Sequence, residues 1–240
     1  LAETLGWQPI MHLTAVVCIL AVVTVWLGYR PPPGSKTSTG GRMGFHMPRR
    51  ELKMVLYAGL VWTVYNLAYF SIISFGPALL LERGLDVAAA GAAISLASWA
   101  ALPALPLGGY LADRTGRPDL VLGISCILAA GAAALLPMTD HPYLLCAIVG
   151  LFAAAPAGLI MGRAISLMSP PHRAQGNAIL YTFFYGGMGL IPSVVGWGAD
   201  VTGTAATPLY FSASALLLSV PLFLVLHAMA SRLSVERAAV

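Results

Sequence analysis

Residues Gly109 to Arg117 read GYLADRTGR, an Asp and two Arg set between two long apolar runs. Downstream, Gly196 to Gly203 reads GWGADVTG. Both stretches fit G-x-x-A-D-x-T-G, and the second copy lacks the arginines. The repetition and the loss together decide how the chain is read.

Of the 240 residues, 58% are hydrophobic and 9% charged, and the mean hydropathy is +0.82. A soluble domain carries about 25% charged residues. This chain cannot cover itself with polar groups, so lipid is its expected solvent. The formal charge of +4 does not point to nucleic acid, because no basic stripe alternates with aromatic residues. Cys18, Cys126 and Cys146 fall inside apolar runs at spacings that suit neither a disulfide nor a metal. They are expected to be small buried hydrophobes. No basic stretch followed by a cleavage site opens the sequence, which starts at Leu1 and reads as part of something longer.

A membrane span takes about 20 mostly apolar residues. Seven candidates are present: Ile10–Tyr29, Met54–Phe75, Val87–Leu111, Leu120–Met138, Tyr143–Leu167, Ala178–Ala199 and Leu209–Ala230. The expected fold class is all-α, a polytopic bundle of seven transmembrane helices. Short links with turn residues join most of them. The exception is Arg30–Arg50, rich in Pro, Gly, Ser, Thr and basic residues, which reads as a flexible linker. The division is therefore 1–29, a lone helix; 30–50, a linker; and 51–240, a six-helix bundle.

Of the 13 Lys and Arg, all but Arg83 fall on one side of this topology. By the positive-inside bias the N-terminus is outside, and the linker and C-terminus are cytoplasmic, in a multi-pass protein of the cell membrane. Glu3, Glu82, Asp86, Asp140 and Asp200 lie outside. No Asp, Glu or Lys sits deep in a span, where each costs about 2.5–3.5 kcal/mol on insertion scales.

On this topology GYLADRTG follows the second helix of one three-helix unit, on the cytoplasmic side. GWGADVTG follows the second helix of the next unit, outside. One segment at equivalent points facing opposite water phases is the mark of a 3+3 inverted repeat. Val201 and Thr204 stand where the inner copy has Arg114 and Arg117, as the charge bias requires. A simpler alternative is that A-D-x-T-G is a helix stop used twice. Asp113 faces the negative end of a helix dipole and calls for a partner. Arg114 and Arg117 are local candidates. The N-terminus of a helix in another domain is the other, with Gly108 and Gly109 allowing close approach.

The pattern at Gly109 to Arg117 resembles the signature loop of the major facilitator superfamily. Gly196 to Gly203 resembles the end of that family's eleventh helix, and the basic linker its central cytoplasmic loop. A second basic residue usually follows the last arginine there; here Pro118 stands instead. The resemblance implies that the spans are helices six to twelve, half of a two-bundle carrier that moves a small solute by alternating access. It implies that Gly109, Asp113, Arg114, Gly116 and Arg117 form a conformational latch, Asp113 pairing with a helix start in the N-terminal bundle. Solute, bilayer and that bundle are the expected partners; no cofactor, metal or nucleic acid is expected.

Trp62, Tyr65, Asn66 and Tyr69 recur at i, i+3, i+4 and i+7, a stripe near mid-membrane. The family's seventh helix lines its cavity, so these four are candidate substrate-binding residues, with helix packing the alternative. Asn177, Tyr181 and Tyr185 repeat every four residues on a later span, and Tyr181 and Tyr185 join the candidate set. The stripe is aromatic and neutral, which favours an uncharged or amphipathic solute. Arg163 is expected to snorkel, and His12 and His227 to pack. Pro103, Pro106, Pro156, Pro192 and Pro221 are expected to kink helices. Gly158-x-x-x-Gly162 is expected to form a close helix contact.

An enzyme reading lacks parts: there is no H-E-x-x-H, G-x-S-x-G or P-loop. A seven-helix receptor fits the span count but not the long basic linker or the repeated motif. A half-transporter acting with a second chain is a third possibility. Any proton-coupling carboxylate must lie beyond this sequence, or the carrier is a uniporter.

Overall fold

The computed structural model describes residues 8–30 and 47–238. The chain divides into two units, Leu1–Gly44 and Phe45–Val240. The first holds α1, Gln8–Gly28, an apolar helix of 21 residues. The second holds α2 Arg49–Glu82, α3 Val87–Thr115, α4 Pro118–Leu135, α5 Pro142–Ala154, α6 Pro156–Ser166, α7 Arg173–Thr202 and α8 Thr207–Ala238. Most of the expected linker lies outside the described residues. Seven helical segments are long and apolar enough to cross a membrane, α5 and α6 counting as one. The fold is all-α, and the described residues include no strand.

Local chemistry sets the helix limits. Asp86 caps α3 by accepting from Ala89 N–H at 2.7 Å. Pro118, Pro142 and Pro156 each stand at the first turn of a helix, where a missing N–H leaves no bond unmade. The two copies of the repeated motif end their helices identically. Gly116 and Gly203 adopt left-handed φ of 65° and 68°, their N–H groups donating to Ala112 O at 2.9 Å and Ala199 O at 2.8 Å. Thr115 and Thr202 donate back to Leu111 O at 2.7 Å and Gly198 O at 2.8 Å. The helix-stop chemistry is thus shared by both copies. The two stops also lie at opposite ends of the bundle. The α3 stop is at the end where α2 begins; the α7 stop is at the end where α2 finishes, beside the Glu82–Ala205 contact.

α2 runs through the centre. Val55, Ala58, Val61, Leu67, Ala68 and Ile72 are buried against α3, α7 and α8. The α2 hydroxyls of Tyr57 and Tyr65 donate to Leu222 O of α8, at 2.9 Å, and to Ala153 O of α5. α3 and α5 pack closest of all. A Cβ on Gly150 would sit 2.0 Å from Ala97 O, and one on Gly108 2.1 Å from Ala155 O. Small residues let these backbones touch where a larger side chain would hold them apart.

Several expectations change. Among the described residues the close contact expected at Gly158 and Gly162 is not made: nothing lies within 4 Å of a Cβ at either position. The G-x-x-x-G spacing makes a flat face but does not choose its partner, and the touching glycines are Gly108 and Gly150. Cys126 and Cys146 are buried as expected, but Cys18 is exposed on α1. Of the five prolines expected to kink helices, Pro156 marks the boundary between α5 and α6, where Ala155 keeps helical φ and ψ of -54° and -38°. Pro103, Pro106, Pro192 and Pro221 stay within continuous helices, as does Pro77.

Candidate functional site

The residue stripe on α2 divides. Tyr65 is 2% exposed and its hydroxyl is used on α5, so it belongs to the packed interior. The stripe fixes one side of α2, and α5 covers the Tyr65 edge of it. Trp62, Asn66 and Tyr69 remain part-exposed. Asn66 Nδ2 donates to Trp62 O at 2.8 Å, one turn back. The Tyr69 hydroxyl is within hydrogen-bonding reach of Ser98 on α3. Trp62 Nε1 is buried and has no acceptor.

α7 supplies the neighbouring wall. Of its 30 residues only Gly176, Leu180 and Val195 are buried, so most of this helix is uncovered within its unit. Tyr181 and Tyr185 are 45% and 67% exposed, their rings stacked at 6.1 Å and 27°. Phe184 joins the two helices: its ring lies 6.5 Å from Trp62, 6.0 Å from Phe70, 6.5 Å from Tyr181 and 5.0 Å from Tyr185. Sequence reasoning missed Phe184 and Phe70 because neither carries a polar atom to mark it. The run Phe183-Phe184-Tyr185 was the available signal. Where α7 backs onto α2 the contact is tight: a Cβ on Gly187 would meet the Thr63 side chain at 2.4 Å. Asn177 lies a turn into α7, part-buried, with its Oδ1 unpartnered.

No Asp, Glu, Lys or Arg occurs on α2 between Lys53 and Glu82, or on α7 between Arg173 and Asp200. The face is aromatic, carries hydroxyls and an amide, and has no formal charge. No His, Cys, Asp and Glu cluster suited to a metal occurs among the described residues.

The motif loop forms a second feature. Asp113, Arg114 and Arg117 are all exposed. Arg114 Nη1 donates to Tyr110 Oη at 2.7 Å, with its guanidinium 5.9 Å above that ring. Arg117 uses its backbone N–H on Thr115 Oγ1 at 3.4 Å. Neither arginine pairs with Asp113 among the described ion pairs. Asp113 instead borders an open cleft of about 550 Å³ that Gly109, Gly116, Gly158, Gly162 and Arg163 also line. The cleft thus has a glycine floor, with a carboxylate and a guanidinium among its lining groups. His227 lies on α8, its ring 6.1 Å from Phe223.

No curated protein matches this chain. The family model described as Major Facilitator Superfamily matches residues 61–238, which takes in α3 to α8 and most of α2. That span includes the motif loop, the repeated helix stop and both walls of the aromatic face. The chain therefore belongs to the Major Facilitator Superfamily, a family of membrane transporters.

Proposed function

We propose that this chain forms the C-terminal part of a carrier that moves a small solute by alternating access, as a secondary active or facilitative transporter. The aromatic face of α2 and α7 is one wall of the solute path. Trp62, Asn66, Tyr69, Tyr181 and Tyr185 contact the solute, and Tyr65 braces the wall from behind. An N-terminal bundle of the same transporter supplies the opposite wall, with 1–29 its last helix and 30–50 the central linker. Asp113 latches the two bundles by accepting from a helix start of that bundle, seated in the cleft beside Gly158 and Gly162. The N-terminus is outside and the C-terminus cytoplasmic. Membership of a transporter family does not favour the receptor reading.

The observation that carries this proposal is an uncharged, part-exposed face of rings and hydroxyls midway along two long helices. Hydroxyls and amides are costly against hydrocarbon and are found where a wet or solute-filled path runs. A substrate-free test uses cysteine accessibility in a Cys18→Ser background, Cys126 and Cys146 being fully buried. A cysteine at Tyr185 should react with an impermeant thiol reagent from each side of the membrane in turn. Reaction from neither side overturns the proposal. Cysteines at Thr115 and Thr202 should label from opposite sides, Thr115 from the cytoplasm. Labelling from one side removes the inverted repeat.

A further inference from the structure

We propose that the aromatic face selects a planar, uncharged aromatic solute that carries a hydrogen-bond acceptor, and rejects its charged isosteres. This inference rests on the reading of the face as a solute path.

Three observations converge on it. The first is ring geometry. Phe184 contacts rings on both helices, so Trp62, Phe70, Phe184, Tyr181 and Tyr185 form one continuous wall rather than scattered aromatics. The exposed Tyr181–Tyr185 stack offers a flat platform, and a flat ring gains more from it than a globular or flexible group does.

The second is charge. Along both helices the nearest formal charges lie at the ends, at Lys53, Glu82, Arg173 and Asp200. A carboxylate arriving here loses its water and finds no countercharge on α2 or α7. An ammonium or amidinium meets ring faces, which return part of that loss, but no carboxylate.

The third is the unused hydrogen-bonding capacity. Trp62 Nε1 lacks an acceptor but is closed off behind the face, and the neighbouring Asn66 amide is already engaged. The Tyr181 and Tyr185 hydroxyls make no hydrogen bond within the described residues and stand at the exposed edge. A carbonyl or ring nitrogen on the solute supplies the acceptor these two hydroxyls lack.

The test uses three probes of one shape: naphthalene-2-carboxamide, 2-naphthoate and naphthalene-2-carboxamidine. Binding to the whole transporter, N-terminal bundle included, in lipid nanodiscs is measured by equilibrium dialysis, with empty nanodiscs subtracted. The carboxamide should bind about tenfold more tightly than either charged probe. Tyr185→Ala should weaken the carboxamide about fivefold to tenfold. Tyr185→Phe, which keeps a ring but removes the hydroxyl, should weaken the carboxamide about fivefold and leave naphthalene itself unchanged. Circular dichroism and gel filtration confirm that each variant is folded. Equal or tighter binding of a charged probe, still lost in Tyr185→Ala, overturns the solute class and leaves the path standing. If all three probes bind but ignore Tyr185→Ala and Tyr185→Phe, or if none binds, the proposal fails. Should cysteine labelling at position 185 also fail, the path falls with it.

Discussion

The Glu51 carboxylate accepts from the Ser169 N–H at 2.6 Å and from Ser169 Oγ at 3.0 Å, fastening the start of α2 to the segment ahead of α7. His172 Nδ1 approaches the same carboxylate at 2.8 Å. At its other end α2 repeats the device, Glu82 accepting from Ala205 N–H at 3.1 Å, just beyond α7. The two walls of the aromatic face are thus joined at both ends.

Glu51 is 8% exposed and holds a backbone N–H that has no other acceptor nearby. Glu51→Gln keeps the shape but weakens the charge-assisted bonds. It should lower stability by about 1–3 kcal/mol, read as a lower midpoint of thermal unfolding in detergent. Glu82 is exposed, and Glu82→Gln should have the smaller effect. An equal or reversed order would disprove the clamp.

The twin helix stops give a matched pair. Gly116 and Gly203 share a left-handed φ, where a Cβ costs about 1–2 kcal/mol. Gly116→Ala and Gly203→Ala should therefore destabilise to similar extents, since neither site has a neighbour within 4 Å to add a clash. A large disparity in unfolding midpoints would show that the two stops are not equivalent.

Two glycine pairs should behave in opposite ways. Gly150→Ala and Gly108→Ala drive a methyl into a backbone carbonyl and should cost about 1–3 kcal/mol or prevent assembly. Gly158→Ala and Gly162→Ala meet open space inside a helix and should leave the bundle as stable or up to about 1 kcal/mol more so. If the glycine floor seats a helix of the other bundle, those two substitutions lower transport all the same. Unaltered transport would place that helix elsewhere.

Asp113→Asn separates latch from fold. The carboxylate sits at the carbonyl end of α3, an unfavourable place for a negative charge, and no described arginine pairs with it. Its removal should not destabilise the protein, yet should slow transport about tenfold by releasing the coupling between bundles. Unfolding midpoint and vesicle uptake, measured on one preparation of the full-length transporter, check both halves.

Hydropathy made the spans legible because lipid demands long apolar helices, and all seven appear. The motif was legible as a loop because A-D-x-T-G carries its own stop. The division of the α2 stripe was not. Periodicity places Tyr65 beside Trp62 and Asn66, but only the position of α5 decides which of them is covered. Glu51 and Ser169 stand far apart in the chain, and no local rule pairs them. Phe184 was missed for want of a polar atom, although it is the ring on which the wall depends.

The backbone contacts at Gly150 and Gly108 press α3 and α5 together at two heights, the second of them at Ala155, whose helical angles carry α5 on into α6. Two rods bolted twice make a stiff plank, and α6 prolongs one of its edges. Arg163, Gly158 and Gly162 ride on that prolongation while Gly109 and Asp113 belong to the other rod, so both banks of the cleft are carried by the most tightly joined pair in the bundle.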